Sequence, residues 1–188
     1  MRYSEYEKKA ERRKKLILGG IIVFVMVIST IGFALNNSGS TTASNVDYNG
    51  FKFHRVNNGW VTTISNTKFL FGYLPNELEN VSMPNYILPD KIYLVNEQDD
   101  INTENALRRV GSILQYKGVN IQRACFDIKC GLDVPLLRCS DQKSIIYFKQ
   151  GNSTAISQDG SCIIVESENN ENLDRATERV IYFLLGVI

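Results

Sequence analysis

The chain has one histidine, His54, in 188 residues. That scarcity removes His-rich metal sites and sets most Ser-His-Asp arrangements aside. It also lacks G-x-G-x-x-G, the P-loop, G-x-S-x-G and H-E-x-x-H, so no nucleotide, hydrolase or metalloprotease signature is present. No C-x-x-C occurs, which argues against a thioredoxin-like redox centre. No internal repeat is visible. The formal net charge is only +1, so the chain has no basic excess of the kind that tracks a nucleic-acid backbone.

The most informative absence is local. Residues 16–35, LILGGIIVFVMVISTIGFAL, carry no charge at all. The preceding fifteen residues hold seven basic and three acidic side chains. The remainder holds fourteen basic and seventeen acidic ones. A basic head, an apolar run and a mildly acidic body describe a membrane-anchored protein. At 1.5 Å per residue, about 20 residues span a hydrocarbon core of roughly 30 Å. The run is apolar on every face and abuts basic residues, which disfavours a buried core helix. Gly32-Phe33-Ala34 resembles a signal-peptidase site, but the run is longer than the usual signal core, so an uncleaved anchor is expected. A pilin-like leader ranks last, because the glutamate such leaders carry is missing. The positive-inside rule places residues 1–15 in the cytoplasm and 36–188 outside, with 16–35 in contact with lipid. Residues 36–45 are small and polar and read as a flexible linker with a reach of about 17 Å.

All four cysteines, Cys125, Cys130, Cys139 and Cys162, fall in the outer part. An even number outside the cytoplasm predicts two disulfides. The shortest loops are closed by Cys125–Cys130 with Cys139–Cys162. The alternative is Cys130–Cys139 with Cys125–Cys162. A four-cysteine zinc site is the rival, with spacings unlike the paired knuckles that structural zinc prefers.

Residues 46–188 read as one extracytoplasmic α/β (α+β) domain with a mixed sheet. A three-strand meander is expected over 47–74, as 47–56, 60–65 and 69–74, separated by turns at 57–59 and 66–68. Pro75 ends it, one helical turn over 76–81 follows, and Pro84 and Pro89 bracket a loop. A βαβ unit comes next. It comprises strand 91–95, a helix over 103–117 capped by Asn102 with Gly118 after it, and strand 119–126. Short loops around the helix imply that the two strands are parallel neighbours. Further strands are expected over 144–149, 154–158 and 162–166 after a cysteine-bearing loop at 127–143. A final helix over 172–185 should bury Leu173, Ala176, Val180, Leu184 and Val187, leaving Arg175, Glu178 and Arg179 wet.

Glu97, Asp99 and Asp100 follow strand 91–95 and Asp127 follows strand 119–126. Together they make a ligand edge at the carboxyl ends of parallel strands, suited to a hard cation such as calcium. The plainer reading is a solvated loop, and no metal or other cofactor is assigned. His54 reads as a strand residue without a catalytic partner. Trp60 with Tyr48, Phe51, Phe53, Phe69, Phe71 and Tyr73 could line a groove but fits core packing better. Sequons at Asn36, Asn80 and Asn152 permit glycosylation outside the membrane.

The stretch CSDQKSIIYFKQGNSTAISQDGSCIIVES, Cys139 to Ser167, followed by LDRATERVIYFLLGVI, resembles uncharacterised single-pass membrane-anchored proteins of small-genome archaea. The likeness covers the C-terminal third and implies a tethered extracellular domain without an assigned activity. The expected role is therefore a non-enzymatic binding or structural protein at the cell surface, engaging an unknown protein partner and no nucleic acid. The alternative is a small membrane-tethered enzyme or redox protein using the α/β half.

Overall fold

The computed structural model describes residues 45–96, 101–126, 130 and 133–188. The expected anchor at 16–35, most of the linker and Asn36 lie outside the described residues. Among the described residues no helix is long and apolar enough to cross a membrane.

The described residues have an α+β architecture, with two α-helices and two sheets. The first sheet is an antiparallel meander of four strands, β1 Asn45–Tyr48, β2 Phe51–Val56, β3 Gly59–Ile64 and β4 Thr67–Phe71, in the order β1-β2-β3-β4. The expectation of one strand over 47–56 is thereby corrected. Asn49 and Gly50 both take positive φ, 48° and 82°, and turn the chain between β1 and β2. Two consecutive left-handed residues make the primed hairpin turn that an Asn-Gly pair favours. Gly59 has φ 142° at the start of β3, where any Cβ would run into the Phe71 carbonyl.

A 3₁₀ turn over Pro75–Leu78 leads towards the second sheet. That sheet runs β6-β5-β7-β9-β8, with β5 Lys91–Asn96, β6 Asn120–Arg123, β7 Ile145–Gln150, β8 Ala155–Asp159 and β9 Cys162–Ser167. β5 pairs in parallel with both β6 and β7, and β7 pairs in parallel with β9. Only β8, at one edge, is antiparallel. The sheet is therefore mixed, and the expected parallel neighbours 91–95 and 119–126 are present.

Helix α1, Ile101–Tyr116, connects β5 to β6, and helix α2, Asn170–Leu185, follows β9. Asn102 falls inside the first turn of α1 rather than capping it. Asn169 caps α2, its Oδ1 accepting the Asn172 amide at 2.9 Å, and Gly186 closes the far end at φ 75°. Both helices lie on one face of the second sheet. There Ala106, Val110, Leu114, Ala176, Val180 and Ile181 share a core with Ile92, Leu94, Ile146, Phe148, Ile163 and Val165. α2 also joins the two sheets. Tyr182 stacks on Phe71 with ring centroids 4.1 Å apart, meets Phe53 edge-on at 6.0 Å, and donates to the Tyr73 carbonyl at 2.7 Å. Burial and the nearby carboxylates of Glu178 and Glu77 push the Tyr182 phenol far above its ordinary value.

Glu178 does not lie on the wet side of α2. It is 3% exposed. Its carboxylate accepts from the Gly72 amide at 2.8 Å, the Tyr73 amide at 3.0 Å and Arg109 Nη2 at 2.7 Å. A buried carboxylate is tolerated only when its lone pairs are met in this way. The end of the meander is thus held by α2 from both sides, through Glu178 and through Tyr182.

The opposite face of the second sheet is covered by the β6–β7 connection. A crossover from β5 to β6 through α1 uses one face. The return from β6 to β7 then has to pass over the other if both are right-handed. Leu137 and Cys139 from that connection pack with Tyr93, Phe126, Tyr147 and Ile164 around Val95, Ala124, Ile145 and Cys162. The connection is fixed at both ends. Cys125 is bonded to Cys130 and Cys139 to Cys162, the shortest-loop pairing, and no described cysteine is free. Cys125 also exchanges backbone hydrogen bonds with Pro135 and Leu137.

Candidate functional site

Side chains on a strand alternate between faces. On β7, Ile146 and Phe148 face the helices, so Gln150 does too. On β9, Ile163 and Val165 put Ser167 on that side, and Gln150 and Ser167 stand in register. Each apolar stripe therefore ends in a polar residue at its carboxyl end. β5 repeats the pattern, with Ile92 and Leu94 followed by Asn96, which accepts from Arg123 Nη2 at 2.9 Å.

Both helices begin at this same edge. Between their first turns and the ends of β7 and β9 lies a cavity of about 230 Å³, lined by Asn102, Thr103, Lys149, Gln150, Ser167, Asn169, Asn170 and Leu173. Its wall is made mostly of carboxamides and hydroxyls. The one apolar contribution among the described residues, Leu173, is 5% exposed. Ser167 is also 5% exposed. Lys149 Nζ is held by Glu166 Oε2 at 2.7 Å, and that hydrogen bond keeps the Glu166 carboxyl below its ordinary value. Gly151 makes this contact available, since a Cβ there would collide with the Glu166 carboxylate.

The electrostatics of the surroundings are not those of an anion trap. A helix amino terminus favours negative charge. Here, however, Glu171 occupies the first turn of α2. Glu168 stands beside it and accepts from Asn172 Nδ2 at 2.7 Å. At the neighbouring edge, Glu104 accepts from Arg123 Nη1 at 2.6 Å and Arg108 Nε at 3.0 Å. These bonds lower its carboxyl below the usual range.

The acidic edge expected from Glu97, Asp99, Asp100 and Asp127 lies outside the described residues. Among the described residues no three His, Cys, Asp or Glu side chains gather as metal ligands. His54 is exposed on the meander, with Nδ1 2.7 Å from Asn45 Oδ1. Of the aromatic set, Phe53, Phe71 and Trp60 are buried, while Tyr48, Phe51, Phe69 and Tyr73 pack against the same core. Asn80 and Asn152 are both exposed. Sequence reasoning looked at the same edge of the sheet for charge, on residues that lie outside the described ones. The available signal was the change from apolar to polar at the last helix-facing position of each parallel strand.

No protein-family model, no curated protein and no solved structure matches the chain.

Proposed function

We propose that the chain is a membrane-anchored protein whose disulfide-fixed domain stands outside the cytoplasm and works by binding a ligand at the carboxyl edge of its mixed sheet. The observation that carries this reading is the polar cavity between the two helix starts, with the buried Ser167 in its wall. Ligands of open sheets containing parallel strands bind outside the carboxyl ends of those strands. Two disulfides support the compartment, because paired cysteines persist where thiols are not kept reduced. The uncharged run 16–35 behind a basic head supplies the anchor. Binding is favoured over catalysis by the neighbours of Ser167. The carboxamides there cannot take up its proton at neutral pH, and Lys149, the one cation among the described lining residues, is engaged by Glu166.

Native mass spectrometry tests the reading on the full-length, membrane-extracted protein. After incubation with the small-molecule fraction of its own cells, the wild type should carry an added mass that Ser167→Leu does not. The added mass should leave unchanged, and an impermeant protease should reach the domain in intact cells. Release of the ligand in altered form would overturn the binding reading in favour of catalysis. Protection of the domain in intact cells would overturn the orientation.

A further inference from the structure

Resting on the outside orientation of the reading above, we infer that Asn152 carries an asparagine-linked glycan. Asn152-Ser153-Thr154 and Asn80-Val81-Ser82 are the two acceptor sequons whose asparagines the structure describes. Both asparagines are exposed, and their surroundings differ. Asn80 follows the 3₁₀ turn and stands against α2. Arg175 donates to the Glu77 carbonyl at 2.6 Å and lies 3.4 Å from Asn80 Oδ1. Val81, the middle residue of that sequon, is 2% exposed and belongs to the core. A bulky chain on Asn80 would crowd this contact when the domain closes. Asn152 lies in the connection between β7 and β8, and Ser153 beside it is exposed as well. This connection is held by its backbone. The Gly151 amide donates to the Ser167 carbonyl at 3.0 Å, and the Asn152 amide donates to the Glu166 carboxylate.

Thr154 supplies an independent observation. Its Oγ1 is buried and has no hydrogen-bond partner among the described residues. A buried hydroxyl left unpaired costs its full desolvation. Valine would fill the same space without that cost, so the folded connection makes no use of the hydroxyl. An acceptor sequon does use it, because a hydroxyl at the third position defines one. The transfer joins Asn152 Nδ2 to the anomeric carbon of a lipid-phosphate-linked oligosaccharide. The anomeric C–O bond breaks, the lipid phosphate leaves with the electron pair, and an amide proton passes to a base of the transferase. The glycan has a task at this position. β8 is an edge of the second sheet and pairs there with β9. Its Ser157, Gln158 and Asp159 are exposed, and it holds no proline or lysine. An open edge of that kind recruits further strands unless something bulky or charged stands over it. A hydrophilic chain rooted at the entry to β8 shields it.

Full-length protein extracted from the membranes of its own cells is reduced, cleaved with trypsin and read by glycopeptide mass spectrometry. The peptide Gln150–Arg175, which contains one sequon, should carry a saccharide mass, at higher occupancy than Asn80 in the peptide Phe69–Lys91. Asn152→Gln and Thr154→Val should each lose that mass, and Thr154→Ser should keep it. Thr154→Val should also unfold at a higher temperature than Asn152→Gln, which separates loss of the sequon from loss of the fold. On concentration, Asn152→Gln should form oligomers that Ser157→Lys on the edge strand reverses. An Asn152 of unmodified mass, or a higher occupancy at Asn80, overturns the inference. An impermeant protease applied to the same intact cells then locates the failure. If the domain is cut, the orientation stands and the glycan alone falls; if it is protected, the orientation falls with it. Retention of the mass in Thr154→Val overturns the assignment to this sequon, and a monodisperse Asn152→Gln overturns the shielding of β8.

Discussion

Replacing Glu178 by alanine should loosen the join between the meander and the helical layer more than any surface change on α2. The carboxylate is 3% exposed and accepts three hydrogen bonds, from Gly72, Tyr73 and Arg109. A hydrogen bond to a charged group is worth about 1.5–3 kcal/mol. Gly72 is exposed and the Arg109 side chain is 36% exposed, so water recovers part of what is lost. Arg109 also keeps Asp174 at 3.1 Å. Counting the two backbone bonds at the lower end and discounting the arginine gives a loss of about 3 kcal/mol. For a chain of this length that corresponds to a fall of roughly 6–12 °C in the thermal midpoint. Glu178→Gln keeps the volume and one acceptor but turns an amino group towards the second amide, so about half of the loss is expected. Asp174→Ala, which removes a 62% exposed partner, should change stability by less than about 0.5 kcal/mol. Denaturant unfolding followed by far-ultraviolet circular dichroism measures all three, and limited proteolysis should cut Glu178→Ala first near Gly72–Leu74. The reasoning fails if Glu178→Ala stays within 1 kcal/mol of wild type, or if Asp174→Ala costs as much.

Removing Cys139 and Cys162 together, as Cys139→Ala, Cys162→Ala, should cost about 3.4 kcal/mol on the loop-closure estimate for a separation of 23 residues. Thiol labelling of denatured, unreduced wild type should find no reactive cysteine, and four labelled thiols would contradict both bridges. Arg179 has Nε and Nη1 buried without a partner. Arg179→Met should therefore raise stability by about 1 kcal/mol, and an equal loss in denaturant unfolding would show that the guanidinium is satisfied. Because Arg123 and Arg108 lower the Glu104 carboxyl from its ordinary 4.5, that group stabilises the fold above this pH. The contribution is lost as pH falls through the depressed folded value. Glu104→Gln should flatten this part of the stability–pH curve, and a curve unchanged in slope would exclude Glu104 as its source.

The β5–α1–β6 unit was readable from the chain because one signal determined it. Ala106, Leu107, Val110, Ile113 and Leu114 fall on one helical face, and Gly118 at φ 78° follows the end of the helix. The cysteine pairing was readable because near neighbours close short loops. The first hairpin was misread although its Asn49-Gly50 pair is the strongest local turn signal. The aromatic alternation on either side runs on as though the strand were continuous. Glu178 was misread for a different reason. Its position on α2 suggests the wet side, and the Gly72 and Tyr73 amides that justify its burial lie more than a hundred residues earlier in the chain. The cavity has residues from two strand ends and two helix starts, and no linear spacing links Asn102 to Ser167. Only the ends of the individual stripes, Gln150 after Phe148 and Ser167 after Val165, were visible in advance.

The residues after α2 are tied to the first hairpin turn of the described domain. Asn49, four residues after the start of β1, donates through Nδ2 to the Val187 carbonyl at 3.0 Å. The sixteen residues of α2 then run about 24 Å from this contact to the cavity rim at Asn169 and Asn170. The first hairpin turn and the last residues of the described domain therefore meet at the pole remote from the cavity. A label or surface attached beyond Ile188 leaves the binding edge clear. A peptide joining Ile188 back to Asn45 has to run the length of β1, about 13 Å, which a short linker covers in a circular permutation. New termini opened in the exposed β7–β8 connection would instead emerge beside the cavity rim, where Gln150 already stands.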